Sequence, residues 1–187
     1  NKVKTLATRL KSFGYNTYMS GKWHLGHSED NLPSKRGFDR TFILDASGAD
    51  NYEAKGYLPI KATAQWHQDG IPVSLPEDFY SSKTYVDKAI EFMESEPNKS
   101  NPFFTFLSFQ AVHIPLQAPA EYVSKYRDLY EDGWQSLREQ RFEKAKELGI
   151  IPEGVALGEM LPILRKWDQL SAAAKEEAAN DMAVHAA

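Results

Sequence analysis

The 187 residues contain no cysteine. That excludes disulfides, thiolate zinc sites, iron–sulfur clusters and a cysteine nucleophile within them, and it leaves the redox compartment undetermined. Long apolar runs are also missing. The longest nearly apolar stretch, Pro102 to Val112, is too short to span a bilayer. Asn1 to Lys11 alternates basic and apolar residues and lacks the apolar core of a signal peptide. Neither charge sign dominates: 22 Lys and Arg against 26 Asp and Glu leave a net charge of −4. Nothing global therefore draws the chain to nucleic acid, although a local basic patch could still bind an anion. No G-x-S-x-G elbow and no P-loop occurs, so neither a serine hydrolase nor an NTPase is supported, and no G-x-G-x-x-G exists either.

What is present is ordinary for a globular chain: 42% apolar, 26% charged and 12% aromatic residues. The length suits one domain or little more. The chain lacks a starting Met and opens and closes inside predicted helices, so it is expected to be a central segment, residues 1–187, of a longer catalytic domain.

Val3, Leu6, Ala7 and Leu10 recur at helical spacing, and Gly14 ends that helix. Tyr15 to Met19 reads as a short strand running into a glycine-bracketed loop, Ser20 to Gly26. Residues 27–60 show no sustained period and are expected to be rich in loops. Asp69-Gly70 predicts a small hairpin between Thr63–His67 and Ile71–Val73. A second helix is expected from Ser81 or Ser82, either of which could cap it, with Tyr85, Ala89, Ile90, Phe92 and Met93 on its apolar side. Phe103 to Phe109 has the length and flanks of a fully buried strand, and a second polar loop, Gln110 to Pro115, follows it. Helices are expected over Glu121–Tyr130, over Gly133–Leu148 (with Trp134, Leu137, Phe142, Ala145 and Leu148 along one side) and over Ala172–Ala187, capped by Ser171.

Helix, strand and polar loop thus occur twice. This predicts an α/β fold: part of a doubly wound, mostly parallel sheet flanked by helices, with a small hairpin and a helical C-terminal part. Ligands of such sheets sit beyond the carboxyl ends of the strands, where both polar loops are expected.

Lys22-Trp23-His24 is the first candidate constellation. In extended backbone Lys22 and His24 face one side while Trp23 packs the other way. An ammonium beside an imidazole can make an anion pocket, or simply stand in an exposed loop. His113 is the second candidate, stiffened by Pro115 and Pro119, and open to a functional or a structural reading. His27 could line the first pocket. His67 in the hairpin and His185 on the last helix read as structural, and Lys35 and Arg36 as solvated surface. No His-x-His or His-x3-His pair offers metal-ligand spacing. Asn98-Lys99-Ser100 matches a glycosylation acceptor, a pattern too common to place the protein in a compartment.

Gly14-Tyr15-Asn16-Thr17 followed by Gly21-Lys22-Trp23-His24-Leu25-Gly26 closely resembles the second signature of the type I sulfatases, within the alkaline phosphatase superfamily. Pro33 with Arg36-Gly37-Phe38-Asp39, Phe79 to Ser82, Pro102-Phe103-Phe104 and Ala111 to Pro119 continue the likeness in order. Leu137-Arg138 with Arg141, Trp167 with Leu170-Ser171, and Met182 to Val184 extend it along the bacterial arylsulfatase branch.

The resemblance implies an alkaline phosphatase-like fold and hydrolysis of sulfate monoesters by a formylglycine made from a Cys or Ser in a Cys/Ser-x-Pro-x-Arg motif. Its hydrate attacks sulfur, the alcohol leaves, and elimination releases sulfate. A calcium ion held by Asp and Asn balances the sulfate charge. Carried over by motif, Lys22 contacts the formylglycine and a sulfate oxygen, His24 bonds a formylglycine hydroxyl, and His113 contacts sulfate near the leaving oxygen, where it could act as acid. The implied partners are a small-molecule or glycan sulfate ester and a formylglycine-generating maturation enzyme, with neither nucleic acid nor a membrane span. A periplasmic or extracellular setting follows from the family, though some bacterial members look cytoplasmic.

The sequence departs from that pattern. Its nearest matches to the nucleophile motif, Ser74 to Asp78 and Ser95 to Lys99, lack the Arg and come after Lys22 rather than before it. The acidic pair, the Asp-Asn pair and the second sulfate-binding Lys of the family find no counterpart. Nucleophile and calcium ligands are therefore expected outside these residues, and the 187 residues alone are expected to be inactive. Two alternatives stand beside the sulfatase: a phosphonate or phosphate monoester hydrolase of the same superfamily, and a degenerate, non-catalytic binder of sulfate or glycan.

Overall fold

A strand can be covered on both faces when its consecutive residues are buried, and β1 (Asn16–Lys22) is built that way, Thr17 to Gly21 all being buried. Tyr18 joins Phe42, Leu44, Trp66, Tyr85 and Phe92 in one buried cluster. Met19, one residue on, joins Ala7, Trp23, Leu32, Phe38 and Ile43 in another. The computed structural model describes residues 3–59 and 62–187, which form two compact units, 3–115 and 116–187 with the same gap.

In the first unit the sheet contains β1, β2 (Arg40–Leu44), β3 (Trp66–Gln68), β4 (Ile71–Pro72) and β5 (Phe103–Ser108), in the order β4-β3-β2-β1-β5. The pairs β1–β2 and β1–β5 are parallel, while β2–β3 and β3–β4 are antiparallel. The sheet is therefore mixed, parallel across β2-β1-β5 and antiparallel where β3 and β4 join it. The helices α1 (Leu6–Ser12) and α2 (Ser81–Ser95) supply Ala7 to one cluster and Tyr85, Ala89 and Phe92 to the other face. The sheet is flanked by helices, as expected.

Several sequence expectations need correction. The α1 helix starts after Thr5, whose hydroxyl accepts from Thr8 N, and of its apolar residues only Ala7 is buried. Ser20 to Lys22 are strand, not loop. The span taken as loop-rich holds β2, whose Arg-Thr-Phe-Ile-Leu sequence is too short to declare a period. The hairpin stands where Asp69-Gly70 placed it, with φ of 53° and 86°. Asp69 also reaches back to β2, accepting from Thr41 N at 2.7 Å and Arg40 Nε at 3.0 Å. Ser81 does not cap α2. Tyr80 holds that position without a side-chain bond, and Ser81 is the first helical residue.

The largest correction concerns β5, which was expected to be fully buried. It is an edge strand paired, among the described residues, only with β1, and Phe103 and Phe106 are 59% and 43% exposed. An apolar run reports affinity for burial, not the strand's place in the sheet.

The second unit is helical: α3 (Ala120–Val123), a 3-10 turn over Arg127–Tyr130, α4 (Gly133–Glu147) and α5 (Ala172–Ala186). The single helix expected over 121–130 is thus two pieces. Val123, Tyr130 and Ala183 form its buried centre, with Leu137, Ala179 and Met182 packed around them. Leu148, expected on the buried side of α4, is 63% exposed just past its end, where Gly149 takes a φ of 69°. Ser171 caps α5 as expected, accepting from Ala174 N.

Candidate active site

Parallel pairing sets the geometry of the site. Gly21 lies opposite Ser108 and Lys22 opposite Leu44, so the segments leaving β1, β2 and β5 emerge at the same carboxyl edge. Close approach here requires glycine: Gly21 has a φ of 127°, and a Cβ on it would overlap the Ser108 carbonyl.

Lys22 ends β1 half-buried, and His24 is exposed just beyond it. Between them Trp23 is 6% exposed. Its backbone N–H donates to Leu44 O at 2.9 Å, its indole Nε1–H donates to Asn31 O at 2.9 Å, and its ring meets Phe38 edge-on at 6.4 Å. Trp23 is thus an anchor that turns its two polar neighbours out of the core. Gly26, with φ of 119°, packs against Asn31, where a Cβ would come within 2.8 Å of the Asn31 side chain.

His27 leaves this loop and meets the carboxyl end of β2. Its Nδ1 lies 2.8 Å from Asp45 Oδ1, with the Asp45 side chain 6% exposed and the His27 ring 55%. The carboxylate accepts, so Nδ1 carries the hydrogen and Nε2 is left to solvent. Asp45 went unnoticed in the sequence because β2 did.

His113 stands five residues past the end of β5, its backbone N–H donating to Gln110 O at 2.8 Å. Its Nδ1 is 2.7 Å from Ile114 O. A carbonyl only accepts, so Nδ1 is the donor and Nε2 is the atom free for a ligand. The ring rests edge-on against Tyr57, with centroids 4.9 Å apart at 75°, and Tyr57 OH lies 3.0 Å from Ser47 Oγ. Gly48 completes the seat: a Cβ there would lie 2.9 Å from His113 Nδ1. Sequence reasoning named none of Ser47, Gly48 and Tyr57, since their link to His113 spans about half the unit. Beside this seat Asp50, Lys55, Gly56, Tyr57, Ile114 and Pro115 line a cavity of about 350 Å³.

Cavity size does not mark the site. Two larger cavities, about 650 and 570 Å³, lie within the second unit, and no histidine lines them. His67 lies inside β3 opposite Ile43, and His185 lies on α5, both consistent with structural roles. Lys35 pairs with Glu29 at 3.7 Å on the surface. Among the described residues no group of three His, Asp or Glu side chains could hold a metal ion, and no helix is long and apolar enough to cross a membrane. Asp45 is engaged by His27, and Asp50 by the backbone N–H groups of Tyr52 and Glu53.

The family model described as Sulfatase matches residues 1–181. An arylsulfatase of Klebsiella aerogenes is 36% identical over all of this chain and 40% of its own length. A sulfatase of Schizosaccharomyces pombe is 38% identical over all of this chain and 35% of its own length. The chain thus spans 40% or less of these curated relatives. Among solved structures, that of Ps i-CgsB aligns with a TM-score of 0.57 and 27% identity over 65% of this chain and 29% of that one. That of BT4656 in complex with D-glucosamine-2-N,6-O-disulfate aligns at 0.51 and 25% identity over 68% of this chain and 22% of that one.

Proposed function

This chain belongs to the sulfatase family, and on that premise we propose that it forms the central part of an enzyme that hydrolyses sulfate monoesters, with Lys22, His24 and His113 lining the sulfate pocket. The observation that carries this reading is the parallel register of β1 with β5, which opens the Lys22–His24 loop and the His113 loop at one edge.

The chemistry follows from charge. A sulfate ester brings anionic oxygens, and cleavage builds further negative charge on the oxygen that leaves. The Lys22 ammonium offers a full charge and three donors for the sulfate oxygens. His24 offers a ring nitrogen beside it. With Nδ1 committed to Ile114 O, His113 presents Nε2, which in the protonated ring can give its hydrogen to the departing oxygen. Trp23 and the Gly48–Tyr57 seat hold these groups in place before substrate arrives. His27 fastens the loop to the end of β2 through Asp45, which leaves its Nε2 outside that bond.

The family's formylglycine would supply the nucleophile and its calcium ion would neutralise sulfate charge. The described residues do not fit either group, lacking both the Cys/Ser-x-Pro-x-Arg motif and a cluster of metal ligands. Both belong to the proposal that the rest of the site lies in sequence outside these residues, matured by a formylglycine-generating enzyme. The substrate bound in the BT4656 structure is a sulfated amino sugar, which supports a glycan sulfate as one candidate here. The family's usual setting supports a periplasmic or extracellular location.

The test compares rates on an aryl sulfate and an aryl phosphate, using the full-length protein. Faster sulfate hydrolysis supports the reading, and faster phosphate hydrolysis favours the phosphoesterase relative. No turnover of either, in a protein that still binds sulfate, leaves the non-catalytic binder.

A further inference from the structure

The side chains that fix the His113 loop come from far away in sequence. Asn51, Ser81 and Gln110 are 2%, 0% and 4% exposed. Asn51 Oδ1 accepts from Ser81 Oγ at 2.5 Å and from Gln110 Nε2 at 2.7 Å. The same Gln110 amide also donates to Asp50 O at 3.3 Å, and Ser81 N donates to Asn51 O at 2.8 Å. At the far side of the loop, Asn51 Nδ2 donates to Pro115 O at 3.4 Å. Gln110 O in turn receives the His113 N–H. Three segments meet in this knot: the loop after β2, the first turn of α2 and the loop after β5.

Docking α2 does not need the knot. Tyr85, Ala89 and Phe92 are already buried on the sheet. Nor does the Ser81 hydroxyl serve its own helix, whose cap position is Tyr80. Apolar contact sets how near a loop lies but leaves its direction loose, whereas short bonds between buried polar groups fix direction and are costly to leave unmade. The knot grips the His113 loop on both sides, at Gln110 and at Pro115.

We propose that Asn51, Ser81 and Gln110 are positioning residues for His113. They touch no substrate, and they aim its Nε2 by holding the loop backbone. The effect on turnover rests on the proposed sulfate hydrolysis, whereas the effect on the loop does not.

The test uses the full-length protein carrying Asn51→Ala, Asn51→Asp or Ser81→Ala, with Thr41→Val as control, since Thr41 Oγ1 is buried without a partner among the described residues. Hydrogen exchange is followed by mass spectrometry across 110–116 and across β1 and β2, beside kcat and KM for an aryl sulfate. Asn51→Ala should speed exchange at 110–116 about tenfold or more, with β1 and β2 unchanged, and lower kcat about tenfold while KM holds within about threefold. Asn51→Asp keeps an oxygen for both donors but gives up the Nδ2–H bond to Pro115 O, so protection should return in part at the Gln110 side and not at the Pro115 side. Ser81→Ala should show the same local pattern at smaller size, and it decides the matter if Asn51→Ala does not fold. Thr41→Val should leave all of these readouts as they were.

Exchange that rises equally throughout the sheet, or not at all at 110–116, would overturn the proposal. If the unaltered protein hydrolyses no sulfate ester, the functional reading fails on its own, while the exchange experiment still judges the knot.

Discussion

The two loops at the carboxyl edge are held by different forces. The Lys22–His24 loop is fixed from within by Trp23, which buries its ring and bonds locally to Leu44 and Asn31. The His113 loop has no such anchor. Val112 and Ile114 are 54% and 58% exposed, and the loop depends on Gly48, Tyr57 and the buried amides of Asn51 and Gln110. The proposed site thus combines an electrostatic half anchored by Trp23 with a half whose geometry is set by distant polar bonds. The first should fail by unfolding, and the second by losing aim.

The largest effect should come from Trp23→Ala. Removing a buried tryptophan costs about 3–5 kcal/mol, so the thermal midpoint and the activity of the full-length protein should fall together. A variant that keeps its midpoint and loses only activity would erase the contrast. Next is Gly48→Ala, whose added methyl would press on His113 Nδ1 at 2.9 Å and Cε1 at 3.1 Å. A side chain can yield at little cost to the fold, so kcat should drop about tenfold with a stability change under about 1 kcal/mol. An unchanged kcat would show that the Gly48 seat does not aim the ring.

His27→Ala should be milder for the chemistry. It leaves the Asp45 carboxylate without its imidazole and should cost about 1 kcal/mol in denaturant midpoint, with kcat lowered less than about threefold. A loss as large as that of Lys22→Ala would move His27 into the sulfate pocket itself. The smallest effect lies at the other end of β1. Burial works to raise the Asp39 carboxyl, but the Lys11 ammonium and the Thr17 hydroxyl and amide together hold it below its ordinary value. A lowered folded-state value means stability that is present above the unfolded value and lost as pH falls through the folded one. Acidification below about pH 5 should therefore destabilise the protein more steeply than it does Asp39→Asn, as read from thermal midpoints. Equal slopes would contradict this.

The same contrast explains what the sequence disclosed. Lys22-Trp23-His24 was legible because its anchor and its polar groups are adjacent in sequence, although the strand before it runs on to Lys22 rather than ending at Met19. The hairpin was legible because Asp69-Gly70 has one strong conformational use. His113 was found as a residue, but its seat was not, since Gly48, Asn51, Tyr57 and Ser81 reach it through tertiary contacts with no local signature. Ser81 was one of two candidate helix caps beside Ser82, and its hydroxyl turns out to bond Asn51 instead. The depth of β5 was misjudged for a related reason. Composition shows that Phe103 to Phe109 favour burial, while strand order alone decides which faces are covered.

The central claim is that Lys22, His24 and His113 serve one sulfate. The most direct measurement is kcat/KM for an aryl sulfate in full-length protein carrying Lys22→Ala, His24→Ala or His113→Ala, with thermal midpoints taken in parallel. Each should lose about 100-fold or more, the scale of removing one preorganised donor at a site of developing charge, with midpoints close to the unaltered protein. Activity within about threefold of the unaltered protein in any one of them would remove that residue from the pocket and contradict the shared-edge geometry from which the site was built.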